Sequence, residues 1–191
     1  MKVTIEASAR HVHLCQKDLE KLFGKNYQLK PLKKLSQALD FAAREVVVLK
    51  NGKNMISNVR IVGPVRRVSQ VEITYTEARK LGVKGVLRVS GNIKNTPGIQ
   101  LIGPKGKVQL KEGVIVAQRH LHVPEKLAQK LGLRQNQKVQ VQVKGKRALI
   151  FNEVTVRISP NFKWRLHLDT DEANAASIGL DEKSNIGEVI I

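Results

Sequence analysis

Two short stretches of the chain carry the same motif, an arginine followed by two histidines separated by one residue. The first is SARHVHL at residues 8–14 and the second is AQRHLHV at residues 117–123, so the paired histidines lie 109 positions apart (120 − 11). A second matched pair follows, VEITYTEA around Glu72 and LHLDTDEA around His167, 95 positions apart (167 − 72). This self-similarity predicts two diverged copies of one structural unit, so the fold is expected to be pseudo-symmetric.

The local pattern between these motifs is typical of β-strands. Apolar and polar residues alternate in MKVTIEA (1–7), KVQVQVKG (138–145) and EVTVRIS (153–159), which places one face of each strand inward. Asn-Gly at 51–52 and Gly-Pro at 63–64 mark tight turns. We therefore expect a mainly β protein whose two halves are β-barrels.

Short helical patterns follow the motif residues in both halves. They are CQKDLEKLFG, YTEARKLG, VPEKLAQKLG and DTDEANAASIG, of which the third predicts a C-terminal cap at Gly132. Thr76 and either Asp169 or Thr170 are candidate N-caps. Each β-barrel is therefore expected to be capped by short α-helices.

All five histidines of the chain fall inside the repeated motifs. Residues i and i+2 of a strand point to the same side, so each His-x-His pair can direct two imidazoles at one point, a spacing that suits a metal ion. By position in the repeat, Glu72 is the third ligand of one set and His167 that of the other. A single His-x-His pair is more often a solvated or hydrogen-bonded structural feature, but the matched third ligands favour metal binding.

Arginines flank these candidate ligands. Arg66 follows a Gly-Pro turn and precedes Glu72 by six residues, where a guanidinium could hold a phosphate. Arg10 and Arg119 stand directly before the two histidine pairs and are candidate substrate-binding residues. Because the chain is strongly basic, each of these three arginines has an alternative interpretation as a surface residue without a functional role.

Composition limits the function classes. The net charge of +18 favours polyanionic partners, but aromatic residues make up only 4%, too few for stacking platforms on single-stranded nucleic acid. No run of 18 apolar residues or signal peptide is visible, so a cytoplasmic protein without a membrane partner is expected. Nucleotide hydrolysis and serine-hydrolase chemistry have no motif here.

In this order, SARHVHL, GPVRRVSQVEI, RHLH and HLDTDEANAA resemble the PduL-type phosphotransacylases of the propanediol-utilisation family, also called phosphate propanoyltransferases. The resemblance covers nearly the whole chain. It implies two barrel domains that exchange their first strand. Residues 10–117 would form the barrel of the first histidine pair, and residues 118–191 with strand 1–9 would form the barrel of the second.

The resemblance also implies two Zn²⁺ ions per chain. One would be held by His11, His13 and Glu72, with a remaining position for the sulfur of coenzyme A. The other would be held by His120, His122 and His167, completed by water or phosphate. Arg66 matches the family's phosphate-handling arginine and is the catalytic residue that we predict.

The activity implied is the interconversion of acyl-CoA and phosphate with acyl phosphate and CoA, the acyl group being propanoyl or acetyl. Phosphate would attack the thioester directly, and Cys15 is the one residue that could contradict this by acting as a nucleophile. Two other functions stay open: a basic nucleic-acid-binding protein with structural zinc, although nucleic acid is the less favoured partner, and a metal-dependent hydrolase.

The N-terminus bears on location and pathway. Microcompartment members of the family often carry an amphipathic N-terminal extension, whereas Ser8 of the first motif follows closely on Met1. A free cytosolic enzyme of acetate metabolism is therefore expected, with propanediol degradation inside a bacterial microcompartment as the alternative. A homo-oligomer is compatible with either.

Overall fold

The computed structural model describes residues 1–37, 39–179 and 185–191, which divide into two compact units. The barrel unit comprises Met1–Ala9 and Gln118–Ile191, and the sheet unit comprises Arg10–Ala117. Strands of the described residues are, in chain order, β1 (Lys2–Ser8), β2 (His11–His13), β3 (Pro31–Lys34), β4 (Phe41–Asn51), β5 (Asn54–Gly63), β6 (Gln70–Glu72), β7 (Leu87–Arg88), β8 (Ile99–Ile102), β9 (Lys107–Leu110), β10 (Val114–Ala117), β11 (His120–Val123), β12 (Lys138–Val143), β13 (Leu149–Ile158), β14 (Arg165–Asp169) and β15 (Ile186–Ile190). The helices are α1 (Gln16–Phe23), α2 (Tyr75–Leu81), α3 (Glu125–Leu131) and α4 (Thr170–Ala175).

The barrel unit is a closed six-stranded barrel in the order β1-β14-β11-β13-β12-β15. The alternating pattern of the sequence accounts for its core, because Val139, Val141 and Val143 all point inward and are buried. Burial of such a side chain is worth about 1.5–3 kcal/mol, so this alternation contributes strongly to closing the barrel. The polar residues between these valines face outward.

The sheet unit is a nine-stranded sheet, with eight strands in the order β7-β10-β6-β2-β5-β4-β8-β9 and β3 paired to β4. It curls into a half-barrel. Its apolar face packs Val12 of β2 and Val71 of β6 together with Leu19 and Leu22 of α1, all fully buried. Since neighbouring residues of a strand face opposite ways, this packing puts His11, His13 and Glu72 on the other face of the sheet.

The prediction of a mainly β, duplicated protein with short helical caps and an exchanged first strand is confirmed. Strand β1 precedes the first histidine pair in the chain but pairs with β14 of the barrel unit. Strand β10 precedes the second histidine pair but pairs with β6 of the sheet unit. Each unit therefore contains the strand that leads into the other unit's histidines.

Two helices begin with the same capping arrangement. Thr74 and Asp169 each accept a hydrogen bond from the N–H three residues on, and the glutamates there, Glu77 and Glu172, accept one from the cap residue's own N–H. Asp169 was one of the predicted N-caps, whereas the prediction of Thr76 was wrong, because Thr76 lies inside α2 and the Thr74 hydroxyl makes the cap. Gly132 ends α3 with a left-handed φ of 65°, as predicted.

No helix within the described ranges has the length and apolar character needed to cross a bilayer.

Candidate metal-binding sites

The first ligand set, His11, His13 and Glu72, comes together on two adjacent strands of the sheet unit. Strands β2 and β6 are antiparallel, and His11 lies directly opposite Glu72 in their register. The Nε2 atoms of the two histidines are 3.2 Å apart, and each lies 3.6 or 3.7 Å from one carboxylate oxygen of Glu72. All three ligand atoms lie within 4.8 Å of one another.

These separations fit one metal ion. Zinc bound tetrahedrally at 2.0–2.1 Å would hold its ligand nitrogens about 3.3 Å from one another. The observed 3.2 Å between Nε2 atoms is close to that value, and the carboxylate oxygens need to move by only a few tenths of an ångström. Two imidazoles and one carboxylate are also the ligand types that zinc and similar first-row ions prefer.

His13 and Glu72 are in the protonation states that metal binding requires. The Nδ1 of His13 lies 3.0 Å from the Val62 carbonyl, which can only accept, so Nδ1 carries the proton and Nε2 keeps its lone pair. Burial lowers the pKa of His13 to about 3, and the neighbouring His11 and Arg66 act in the same direction. Burial alone would raise the pKa of Glu72, but His11, His13 and the Ser90 hydrogen bond outweigh it and lower the pKa to about 2.

The two oxygens of Glu72 differ in their partners. Oε1 accepts hydrogen bonds from Gln70 Nε2 at 2.6 Å and from Ser90 Oγ at 2.7 Å. Oε2 is the oxygen that faces His11 Nε2. The hydrogen bonds therefore leave Oε2 as the better placed metal ligand. Neither Gln70 nor Ser90 was predicted from the sequence, although Gln70 lies two residues before Glu72 on the same strand face, a spacing that is a usable signal.

Arg66 lies beside the first set. Its backbone N–H donates to the Leu14 carbonyl, one residue after the histidine pair, and its Nη1 donates to Ser90 Oγ at 3.4 Å. The guanidinium is close enough to influence the pKa of both His13 and Glu72. It is partly exposed, so part of its fork can reach an anion.

The second ligand set, His120, His122 and His167, gathers on the outer face of the barrel unit. The histidines lie on the adjacent strands β11 and β14, with His120 opposite His167 in the antiparallel register, as His11 is opposite Glu72. The ring centroids are 4.5–5.1 Å apart. The rings of His120 and His167 stack in parallel, so among the described residues these nitrogens do not converge as closely as those of the first set.

The surroundings of His122 indicate that its ring binds a ligand in this set. Both ring nitrogens of His122 are buried, and neither has a hydrogen-bond partner among the residues that the structure describes, which is costly for a polar group unless something else binds there. Burial lowers the pKa of His122 to about 2, and the neighbouring His167, His120 and Arg157 act in the same direction, so the ring is neutral and able to bind a metal. The Nδ1 of His120 donates to the Gln118 carbonyl at 2.9 Å, which directs its Nε2 outward as a ligand.

Arg10 and Arg119 have the same structural partners in the two copies. Arg10 Nη1 lies 2.8 Å from Glu77 Oε1, and Arg119 Nη1 lies 2.9 Å from Glu172 Oε1. These glutamates belong to the capping boxes of the helices that follow the third ligands. Each arginine thus ties a histidine strand to the helix after its partner strand. We call each pair a latch; substrate binding by either arginine stays a prediction.

Comparison with known proteins identifies relatives over most of the chain. The family model described as phosphate propanoyltransferase matches residues 4–179. Proteins of that name from Thermotoga maritima and Listeria monocytogenes are 46% and 44% identical, over 92% and 98% of this chain and 84% and 87% of their own lengths. The namesake from Salmonella typhimurium is 45% identical over 91% of this chain and 83% of its own length.

Proposed function

Because the chain belongs to the phosphate propanoyltransferase family, and is therefore an acyltransferase, we propose that it interconverts acyl-CoA and phosphate with acyl phosphate and CoA. Propanoyl and acetyl groups are the acyl groups that we propose. The reaction forms a bond from a phosphate oxygen to the carbonyl carbon and breaks the carbon–sulfur bond, so that CoA leaves as its thiolate.

The observation that carries the proposal is the convergence of His11, His13 and Glu72, of which His13 and Glu72 are in the protonation states of metal ligands. We propose that this set and the second set each hold one Zn²⁺. Bound zinc supplies positive charge for a developing oxyanion and for a leaving thiolate. The first set is proposed to face the thioester, and the second to face phosphate or water.

Arg66 is the residue that we propose to hold phosphate. Its guanidinium offers two parallel donors to an oxyanion, and its anchoring by Leu14 and Ser90 keeps it beside the first set. Holding phosphate next to the thioester replaces a bimolecular encounter by a positioned attack, which lowers the entropic part of the barrier. No covalent acyl-enzyme is needed in this scheme.

One assay separates this proposal from its rivals. Propanoyl-CoA or acetyl-CoA is incubated with the protein, and the release of the CoA thiol is followed with and without phosphate. Release that depends on phosphate and yields acyl phosphate supports the transferase, and release without phosphate indicates a hydrolase. No release, together with steeply salt-dependent binding to RNA or DNA, indicates the nucleic-acid-binding protein.

Variants assign the roles within the same assay. Arg66→Ala is expected to raise the KM for phosphate by tenfold or more, because a charged hydrogen-bonding partner of phosphate is lost, about 1.4 kcal/mol or more. Lys84→Ala is a suitable control, since Lys84 is an exposed cation of the same unit outside both ligand sets. An unchanged KM for phosphate in Arg66→Ala would remove Arg66 from the proposal. Cytoplasmic location and oligomerisation stay predictions.

A further inference from the structure

A carboxylate that no part of the proposed function uses lies beside the second set. Glu6, on β1, is directly opposite His167 in the parallel register of β1 and β14. Its Oε2 atom is 3.7 Å from His167 Nε2. Val3 and Ile5 of the same strand point into the barrel, so Glu6 shares the outer face with the histidines.

Glu6 is held in the same way as Glu72. In Glu72, Oε1 accepts two hydrogen bonds and Oε2 lies 3.6 Å from an imidazole Nε2. In Glu6, Oε1 accepts a hydrogen bond from Arg165 Nε at 3.0 Å, and Oε2 faces an imidazole Nε2 at 3.7 Å. Each carboxylate therefore has one oxygen fixed by a donor and the other directed at a candidate ligand.

The internal repeat explains why the carboxylate of the second set lies on β1, one strand away from β14, the strand that corresponds to that of Glu72. Glu6 corresponds in the repeat to Ile115, because both precede the first histidine of a pair by five residues. Ile115 is opposite Glu72 in the register of β10 and β6, just as Glu6 is opposite His167. In the sheet unit the carboxylate is that of Glu72 on β6, which lies between β10 and β2. In the barrel unit the carboxylate is that of Glu6 on the exchanged strand β1, which lies next to β14.

We propose that Glu6 Oε2 is a fourth protein ligand of the second metal set, beside His120, His122 and His167. This inference rests on the proposed function, because it requires that the second set binds a metal. Three neutral imidazoles leave the full double charge of a zinc ion, and a carboxylate ligand offsets part of it. The exchange of strand β1 then has a chemical consequence, because it places the Glu6 carboxylate beside the second set.

Metal binding by the full-length protein tests the assignment. Cobalt(II) replaces zinc in such sites, and its visible absorption reports the number and type of ligands. His11→Ala serves as the background that removes the first set. Glu6→Gln in that background keeps the size and a hydrogen-bonding oxygen for Arg165 but removes the anionic ligand. Glu188→Gln is the matched control, because Glu188 is a carboxylate of the same barrel held by Lys144 at 3.0 Å.

We expect Glu6→Gln to weaken cobalt binding at least about tenfold and to change the visible spectrum, whereas Glu188→Gln changes neither. A role limited to the ion pair with Arg165 predicts instead that Glu6→Gln and Arg165→Gln lose the same stability and that the spectrum is unchanged. That result overturns the assignment. Binding of no second metal by the wild-type protein overturns both the assignment and the two-zinc proposal, while a second metal indifferent to Glu6→Gln overturns the assignment alone.

If Glu6→Gln disturbs folding, as judged by circular dichroism, Glu6→Asp provides the second test. Aspartate keeps the charge and the ion pair but withdraws the carboxylate by one methylene. We expect an altered cobalt spectrum with weaker binding. A wild-type spectrum and affinity in Glu6→Asp would contradict direct ligation.

Discussion

The amide of Gln70 determines how Glu72 presents its charge. Gln70 Oε1 accepts the backbone N–H of Gly91 at 2.7 Å, which fixes the amide orientation. Its Nε2 therefore points at Glu72 Oε1, and Ser90 adds a second donor to the same oxygen. Gln70 is fully buried, so no water replaces it easily. Gln70 therefore positions Glu72 without being a metal ligand itself.

Replacing Gln70 by leucine is expected to weaken metal binding at the first set by about 10- to 100-fold, as loss of a ligand's supporting hydrogen bond usually does. Loss of the hydrogen bond to the buried Glu72 carboxylate, and of the acceptor for the Gly91 N–H, should also cost about 1–3 kcal/mol of stability without metal. Competition with a chromogenic chelator measures the first effect and urea unfolding measures the second.

The control is Gln109→Leu, which removes an exposed amide on β9 of the same sheet. It should leave metal affinity unchanged. Equal metal affinity in wild type and Gln70→Leu would show that the hydrogen bonds do not position Glu72.

Replacing Cys15 tests whether phosphate takes the acyl group directly from CoA. Its N–H donates to Ser69 Oγ, and its sulfur lies 3.5 Å from the same oxygen, which in turn donates to Asp18. Since no step of the proposed reaction needs the thiol, Cys15→Ala should keep most of kcat in the thiol-release assay. Near-complete loss of kcat with both zinc ions retained would instead favour a covalent acyl-enzyme.

Among the secondary-structure elements, the two latches connect the capping boxes of α2 and α4 to the strands that carry the histidine pairs. Arg119 is the more constrained of the two arginines, because its Nε also donates to the Asn152 carbonyl at 2.7 Å and its guanidinium lies over the Phe151 ring. Its side chain is 29% exposed, against 41% for Arg10. Burial raises the pKa of Glu172, and Arg119 counteracts that rise.

Arg119→Met is therefore expected to destabilise the protein by about 1–2 kcal/mol, and Arg10→Met by less than about 1 kcal/mol, the range of exposed ion pairs. The midpoints of urea unfolding measure both. The order should hold at low ionic strength and shrink in high salt, where ion pairs are screened. A larger loss for Arg10→Met would contradict the difference in burial.

The sequence predicts those elements whose pattern is local. Alternating valines predict the inward faces of β12 and β13, and the strict spacing of His-x-His predicts which imidazoles share a face. The cap at Thr74 escaped prediction because Thr74 and Thr76 are both plausible caps from spacing, and only the chain's path decides between them. Ser90 and Glu6 escaped it for another reason: their contacts join distant parts of the chain and depend on register, which no local pattern contains. Gln70 differs from them, because it lies two residues before Glu72 on the same strand, a spacing that is visible in the sequence.

For the whole molecule, the net charge of +18 predicts a dependence on salt. CoA carries several phosphates, so a cationic protein attracts it over distances comparable to the Debye length. The KM for acyl-CoA should rise several-fold between low and high ionic strength, and kcat should change less. A KM indifferent to salt in a zinc-loaded enzyme would show that the charge serves another purpose.

The proposed function requires two metal ions, one held by each ligand set, for phosphate acyltransferase activity. The most direct measurement removes metal with a chelator, returns zinc in measured portions, and follows phosphate-dependent thiol release together with bound zinc. Activity is expected to vanish in the metal-free protein and to return as the zinc content approaches two ions per chain. Full activity of the metal-free protein, or full recovery with no zinc retained, would contradict the claim.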